Sequence, residues 1–119
     1  FLTRYPKNEL SDNAQYWKGE CLFAVKDYAQ AILEFEKVNK NYPRSAKGPG
    51  SRLKQGYALY EMKAYPDARA FLQRLLVEAP KSEEAAMARE RIEKIDQLLA
   101  TRTTTTGVSG NPTAKNQKQ

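Results

Sequence analysis

Apolar residues along the chain recur three or four positions apart, in segments long enough to form helices. Ala14, Trp17, Cys21 and Val25 make the first such series, and this spacing places them on one face of a helix. We expect that face to be buried, with Trp17 and Cys21 in the core. The same periodicity predicts five helices, over residues 12–26, 28–42, 49–63, 66–79 and 83–100.

Residue types that favour helix ends stand at the predicted boundaries. Asp27 and Pro66 mark helix starts, while Pro43 and Pro80 follow helix ends. Ser82 is the predicted N-cap of the last helix, whose first turn is acidic, as the helix dipole favours. That helix carries a predicted buried stripe of Ala85, Ala88, Ile92, Ile95 and Leu99.

A step of 37 residues relates the segments to one another. Tyr5-Pro6 is followed at this interval by Tyr42-Pro43 and then by Ala79-Pro80. A fixed period of this length is typical of repeat proteins, and each unit here consists of two predicted helices. Equivalent pairs at the same step are Gly19 and Gly56, Leu22 and Leu59, Tyr28 and Tyr65, Ala31 and Ala68, Phe35 and Leu72, and Val38 and Leu75.

These residues resemble the tetratricopeptide repeat, whose signature combines Leu and Gly with a later aromatic, an Ala, a second aromatic and a Pro. The chain departs from it at Gln15 and Arg52, which replace an aromatic, and in longer loops between repeats. We expect the small Gly19 and Gly56 to let paired helices approach closely against Ala31 and Ala68. Phe35 and Leu72 are expected to fill the space toward the next unit.

The predicted fold is therefore an all-α tetratricopeptide-repeat solenoid of antiparallel helix pairs. It has two full repeats, a partial preceding repeat that ends at Tyr5-Pro6, and a closing helix. We expect a longer parent protein with another helical unit upstream, because half a repeat leaves an apolar face uncovered. Residues 1–100 form the predicted repeat domain, and 101–119 are predicted to be a disordered tail, since they hold too few apolar side chains to offset the entropy of ordering.

Composition argues against an enzyme and against membrane insertion. Of the 119 residues none is His, which removes the commonest general base and metal ligand, and the single Cys21 can form neither an internal disulfide nor a thiolate metal site. We predict no catalytic residue, cofactor or metal. The carboxylates of Glu34, Glu36, Glu83 and Glu84 are interpreted as solvated. Mean hydropathy is −0.77, and no apolar run approaches the roughly 20 residues that span a bilayer.

The net charge of +6 does not by itself indicate a nucleic-acid partner. The last 19 residues carry three of these charges, on Arg102, Lys115 and Lys118. Bases and acids are interspersed over the rest, as on a solvated surface. No nucleic acid is therefore expected to bind.

Longer stretches resemble the carboxy-terminal domain of the tol-pal system protein YbgF family, also called CpoB. They are residues 13–20, 35–38 with 42–47, and 54–61. The resemblance covers residues 1 to about 98 and implies a periplasmic scaffold that binds TolA and coordinates peptidoglycan synthesis with outer-membrane constriction at division. It also implies an upstream coiled coil that would make the protein an oligomer. Envelope assembly lipoproteins of the BamD type use similar repeats with Tyr-Pro endings.

The inner faces of the first helices in each pair are the predicted partner-binding surface, because stacked hairpins curve around them. Aromatic side chains there are good binding anchors, and Tyr16 and Tyr57 are expected to be the most exposed. An alternative is that Phe23 and Tyr60 pack between hairpins, whereas Tyr28, Tyr65 and Phe35 are expected in the core. The predicted binding residues are Asn13, Tyr16, Glu20 and Phe23 in the first unit and Leu53, Tyr57, Tyr60 and Glu61 in the second.

Two interpretations of function follow. The favoured one is a non-enzymatic periplasmic scaffold of the tol-pal system with a TolA-like partner. The alternative is an outer-membrane assembly component of the BamD type or a generic peptide-binding repeat adaptor. Capture of a terminal carboxylate is disfavoured, because Tyr16 and Glu20 stand where such repeats carry lysine and asparagine. An extended or helical peptide along the aromatic groove is expected instead.

Overall fold

The computed structural model describes the backbone of residues 9–110 and the side chains of residues 12–101. Within this range the chain forms helices and no strand, and each of the five predicted helices is present. Phe1 and Tyr5-Pro6, on which the partial preceding repeat was predicted, lie outside the described residues. The helices are α1 (Glu9–Ala24), α2 (Tyr28–Asn41), α3 (Gly48–Glu61), α4 (Tyr65–Glu78) and α5 (Glu83–Gly110).

Each helix packs against the next one along the chain, and α3 also contacts α5. The core of the second half is formed by one face of α4 against faces of α3 and α5. This consecutive packing of helix pairs confirms the all-α tetratricopeptide-like fold. The fully buried apolar residues are Ala31, Phe35, Val38, Ala58, Ala68, Leu72, Leu75, Ala85, Ala88 and Ile95.

The turns inside the two hairpins have the same geometry. Lys26 and Lys63, which are 37 residues apart, both adopt left-handed backbone conformations, with φ of 67° and 66°. In each turn the following amide closes a Schellman-type bond to a carbonyl of the last helical turn, as from Asp27 N to Leu22 O (2.9 Å). The repeat is therefore conserved in backbone geometry as well as in sequence pattern.

Two predicted helix starts differ in their capping. Ser82 Oγ accepts a hydrogen bond from Ala85 N (3.0 Å), which confirms the predicted N-cap of α5. Asp27 stands at the N-cap of α2 but its side chain makes no capping bond. The backbone turn at Lys26 therefore sets the start of α2.

The two glycines of the repeat each face a large, fully buried side chain of the partner helix. A Cβ atom at Gly19 would lie 2.7 Å from Phe35 Cδ1, and one at Gly56 would lie 2.6 Å from Leu72 Cγ. The paired helices therefore approach each other closely at these glycines, as predicted. The side chains that the glycines face are Phe35 and Leu72, however, rather than Ala31 and Ala68. Phe35 and Leu72 thus contact the first helix of their own hairpins. Leu72 also belongs to the core cluster of Ala88, Ile92 and Ile95 in α5, and so packs toward the next unit as predicted.

The predicted buried stripe on α1 is wrong. Trp17 is 56% exposed and Val25 72% exposed, and Cys21 and Ala14 are also exposed. No described helix lies against this side of α1, because α2 packs on the side that holds Gly19. Periodicity identified the apolar face correctly, but it could not tell whether another helix covers it.

The half-buried Gln15 of α1 and the buried Glu34 of α2 form a polar pair. Gln15 Nε2 donates to the Glu34 carbonyl (2.9 Å) and to Glu34 Oε1 (2.7 Å), while Lys18 and Lys37 lie 3.7 and 3.4 Å from the carboxylate. Burial alone would raise the pKa of Glu34, but these hydrogen bonds and positive charges outweigh it and leave the pKa below its usual range. The interpretation of Glu34 as solvated is therefore wrong.

Arg52 occupies the equivalent place in the second unit and is only 2% exposed. Its guanidinium donates to Glu36 Oε1 (3.0 Å), Gln55 Oε1 (2.8 Å) and Glu78 Oε1 (3.3 Å), and so connects α2, α3 and α4. Glu36 is half-buried in this network rather than solvated. The two departures from the repeat signature, Gln15 and Arg52, are thus the donors of buried polar contacts.

Helix α5 continues ten residues past its predicted end at residue 100. Its backbone is helical to Gly110, within the segment predicted to be disordered. Residues 111–119 lie outside the described part of the chain, and the boundary between domain and tail stays a prediction. The predicted stripe is confirmed from Ala85 to Ile95, and Leu99 is half-buried.

Candidate binding groove

The first helices of the successive pairs, α1, α3 and α5, line one side of the stack. Lys54 Nζ of α3 lies 3.3 Å from Glu20 Oε1 of α1, and α3 contacts α5 directly. A Cβ atom at Gly50 would stand 3.4 Å from the Tyr16 hydroxyl. We call this side, lined by α1, α3 and α5, the groove.

Tyr16 is the best-anchored aromatic residue of the groove. Its ring is half-buried, with its centroid 5.6 Å from that of Phe35 and 5.5 Å from that of Trp17 in an edge arrangement. Lys47 Nζ stands 5.0 Å from the ring centroid, within the range of a cation–π contact. Because Tyr16 rests on the core residue Phe35, it is both a structural residue and a candidate contact.

A cation over an aromatic pair recurs in the groove at the repeat interval. Phe23 packs edge-on against Tyr28 (5.3 Å), and Lys54 Nζ stands 4.7 Å from the Phe23 centroid. One repeat later Tyr60 packs in the same way on Tyr65 (5.4 Å), beneath Arg91 at 4.6 Å. Each ring thus packs against a tyrosine of the second helix in its own hairpin. The cation that covers it comes from the first helix of the next unit.

Phe23 and Tyr60 therefore pack partly as the alternative interpretation proposed. The expected core residues Tyr28 and Tyr65 are half-buried, and Phe35 is fully buried as predicted. The cations Lys47, Lys54 and Arg91 were missed by sequence reasoning. The signal was present, because Lys54 and Arg91 are 37 residues apart, as are Phe23 and Tyr60.

Tyr57 lines a cavity of about 310 Å³ between α3 and α5, together with Met87, Glu90, Arg91 and Lys94. The guanidinium carbon of Arg91 stands 4.3 Å from the Tyr57 ring centroid. This cavity combines an aromatic face, a thioether and charges of both signs. A cavity lined in this way can hold a large side chain of a bound peptide and orient it through polar groups.

Both groove tyrosines have a raised pKa. At Tyr16 the causes are burial, a hydrogen bond with Glu20 and the negative charges of Glu20 and Glu84. At Tyr57 burial raises the pKa, Arg91 opposes it and Glu90 adds to it. Both hydroxyls therefore stay protonated at neutral pH, and that of Tyr57 can donate a hydrogen bond to a ligand.

The structure separates the predicted binding residues into three kinds. Leu53 is 4% exposed and belongs to the hydrophobic core, so it supports the groove from beneath and is not part of its surface. Asn13 and Glu61 are exposed near opposite helix ends. The remaining five are half-buried in the groove and are Tyr16, Glu20, Phe23, Tyr57 and Tyr60.

A second cleft, of about 580 Å³, lies outside the groove. It is bounded by the carboxyl ends of α2 and α4 and by the start of α3. Its floor holds the buried Arg52 with its partners Glu36 and Glu78, and Arg44 and Arg74 stand at its wall. The paired charges on the floor are already satisfied by one another, so this cleft is a weaker candidate than the groove.

The described residues hold no cluster of three or more His, Cys, Asp or Glu side chains that could bind a metal ion. Within the same residues, no helix has the length and apolar character needed to cross a membrane. What the groove offers instead is exposed aromatic surface, cations held over it and hydroxyl donors. These are features of a surface that recognises another protein.

Comparison with protein families gives a match to the model YfiO, described as an outer membrane lipoprotein, over residues 8–90. The chain belongs to the YfiO outer membrane lipoprotein family. The match covers α1, α2, α3 and α4 completely and the start of α5, so every groove residue named above except Arg91 and Lys94 lies within it. No curated protein matches the chain. Membership of the YfiO family supports a tetratricopeptide-like domain and does not support the narrower YbgF assignment.

Proposed function

We propose that this YfiO-family chain is a protein-interaction adaptor of the bacterial cell envelope and that it holds a partner protein in the groove. The observation that carries the proposal is the row of half-buried aromatic rings, each beneath a cation, on α1 and α3. Family membership supports the envelope location, since the family is described as outer membrane lipoproteins. We propose a periplasmic location for the domain on the same ground.

The groove fits a peptide segment with large apolar side chains. The Tyr57 cavity provides the place for one such side chain, and the rings of Phe23 and Tyr60 extend the apolar surface along the repeat direction. Glu20, Glu90 and Lys94 add polar contacts at its edges. An extended or helical segment that lies across α1, α3 and α5 would use all of them.

Two versions of this function have separate support. In one, the partner is TolA-like and the protein helps to coordinate envelope constriction and peptidoglycan synthesis during division, which rests on the resemblance of residues 13–20 and 54–61 to the YbgF family. In the other, the chain is a component of outer-membrane assembly, which the outer membrane lipoprotein family supports. Both versions use the same groove and involve no catalysis.

Titration with a TolA fragment separates the two versions. If the partner is TolA-like, the wild-type chain binds, and Tyr57→Ala weakens binding by about thirtyfold, the effect of losing an anchor worth about 2 kcal/mol. Val77→Ala is the matched control, because Val77 is exposed on α4. No binding by the folded wild-type chain removes the tol-pal version.

A further inference from the structure

Arg91 of α5 is a half-buried cation in the groove. Its guanidinium carbon stands 4.3 Å from the ring centroid of Tyr57 and 4.6 Å from that of Tyr60. None of the ion pairs in the described part of the chain includes Arg91. Its charge is therefore held over two aromatic rings of α3 without a carboxylate in contact with it.

The preceding interface of the stack contains an equivalent cation whose charge is paired. Lys54 precedes Arg91 by 37 residues and also lies over an aromatic ring of the hairpin before it. Lys54 Nζ stands 3.3 Å from Glu20 Oε1. Thirty-seven residues after Glu20 comes Tyr57. The position that supplies a carboxylate to Lys54 thus supplies an aromatic ring to Arg91, and the chain leaves the second cation unpaired.

The other charged side chains of the Tyr57 cavity do not replace that carboxylate. They are Glu90 and Lys94, which also line the cavity of about 310 Å³. Their charges offset each other, so Arg91 gives the cavity one net positive charge. A guanidinium that lies over aromatic rings keeps its N–H groups available for a carboxylate, and it loses less hydration than an ammonium group would.

We infer that the groove selects a peptide segment in which an Asp or Glu stands beside a large apolar side chain, and that Arg91 binds the carboxylate. This inference rests on the proposed function, because it names the chemistry of the segment that the groove holds. The apolar side chain enters the cavity against Tyr57 and Met87. The carboxylate pairs with Arg91 as Glu20 pairs with Lys54, and it neutralises the net charge of the cavity through charge-assisted hydrogen bonds.

Selection of peptides from a random library displayed on phage is the first step of the test. The library is selected on the wild-type chain, and each recovered peptide is then titrated against the wild type and Tyr57→Ala. Peptides that bind the wild type and lose affinity for Tyr57→Ala are ligands of the groove. We expect Asp or Glu to recur in these ligands at one position beside a large apolar residue.

A double-mutant cycle then tests whether Arg91 binds that carboxylate. Replacing the recurrent acid by its amide should weaken binding to the wild type by at least about tenfold, as for loss of a hydrogen bond between charged groups. In Arg91→Gln the same peptide change should have almost no further effect, because its partner is already absent. The peptide change on the wild type stays informative even if Arg91→Gln disturbs the packing of the rings.

Arg89→Gln is the matched control. It removes the same charge from α5 at a position about 200° around the helix from Arg91, where Arg89 donates to the Pro80 carbonyl (3.0 Å). The peptide change should keep its full effect in this variant.

The possible failures of the inference and of the proposed function differ. Groove ligands without a recurrent acid, or a peptide effect that persists unchanged in Arg91→Gln, would overturn the inference and leave the proposed function standing. If no selected peptide distinguishes the wild type from Tyr57→Ala, the groove is not the binding surface, and the inference is overturned together with the proposed function.

Discussion

Gly56 is the residue on which the packing of the second hairpin depends most directly. A Cβ atom there would lie 2.6 Å from Leu72 Cγ, and Leu72 is fully buried. We therefore expect Gly56→Leu to lower the free energy of unfolding by at least about 1–3 kcal/mol, the cost of overpacking a core. Gly50→Ala is the control, since its Cβ meets Tyr16 at 3.4 Å, an ordinary contact. Equal melting temperatures for the two variants would contradict the close packing of α3 against α4 at Gly56.

Lys63 holds a left-handed conformation that favours glycine. Its φ is 66°, and the turn it forms ends α3, so the side chain adds strain at a C′ position. Lys63→Gly should raise the free energy of unfolding by about 1 kcal/mol. The same substitution inside a helix, Lys94→Gly, should lower it by about 1 kcal/mol. Urea unfolding of the pair measures both, and a loss of stability in both would contradict the turn geometry.

At the residue scale the sequence allowed the helix-facing glycines, Ser82 and the α5 stripe to be predicted, because each depends on local geometry or on a regular period. It did not allow Trp17 to be placed, since the apolar period does not reveal that none of α2 to α5 covers this side of α1. Glu34 was also misplaced. A carboxylate is normally exposed, and only the tertiary partner Gln15, 19 residues away, reveals why this one is buried.

At the scale of the helices, Arg52 connects α3 to α2 and to α4. Its guanidinium connects Glu36 of α2 to Glu78 of α4. Arg52→Ala would leave a buried gap, although Glu36 keeps its hydrogen bond from Gln55 and Glu78 keeps its pair with Arg74. We expect a loss of about 1–3 kcal/mol in unfolding free energy, as for removing one partner of a buried hydrogen bond. Arg69→Ala, which removes the exposed pair with Asp96, is the comparison and should have little effect. Equal effects in denaturant unfolding would mean that Arg52 is not a connecting residue.

The contact between α1 and α2 should be sensitive to acid. The pKa of Glu34 is below its usual value of 4.5 in the folded chain, so its contribution to stability is present above that value and is lost as pH falls through the folded pKa. Glu34→Gln should therefore lose less stability than the wild type between neutral pH and pH about 3. Gln15→Leu removes the donors and should also reduce the loss. If the unfolding free energy of both variants depended on pH as that of the wild type does, the hydrogen bonds between Gln15 and Glu34 would not stabilise the charged carboxylate.

Which helices exist could be predicted from the apolar spacing of three or four residues, and the order in which they pack from the 37-residue period. The extent of α5 could not, because residues 101–110 have no apolar period. The cations over the groove rings were missed although Lys54 and Arg91 are related by the 37-residue step, because they look like ordinary surface charges until Phe23 and Tyr60 are placed beneath them. Element boundaries follow from local residue types, whereas the groove surface is created by contacts between hairpins.

For the whole molecule, the groove lies on one side of the helix stack. The groove runs across α1, α3 and α5 and remains open in the stacked arrangement, because α2 and α4 lie on the other side of these helices. A partner protein can therefore reach the groove without displacing α2 or α4.

The groove is tested most directly by site-specific photo-crosslinking in cells. A photoreactive residue at position 57 lies beside the 310 Å³ cavity, whereas the same residue at position 77 is exposed on α4. We predict a single dominant adduct with an envelope protein from position 57, and its loss when Arg91→Ala removes the neighbouring cation. Equal adducts from positions 57 and 77, or an adduct from position 77 alone, would contradict binding in the groove.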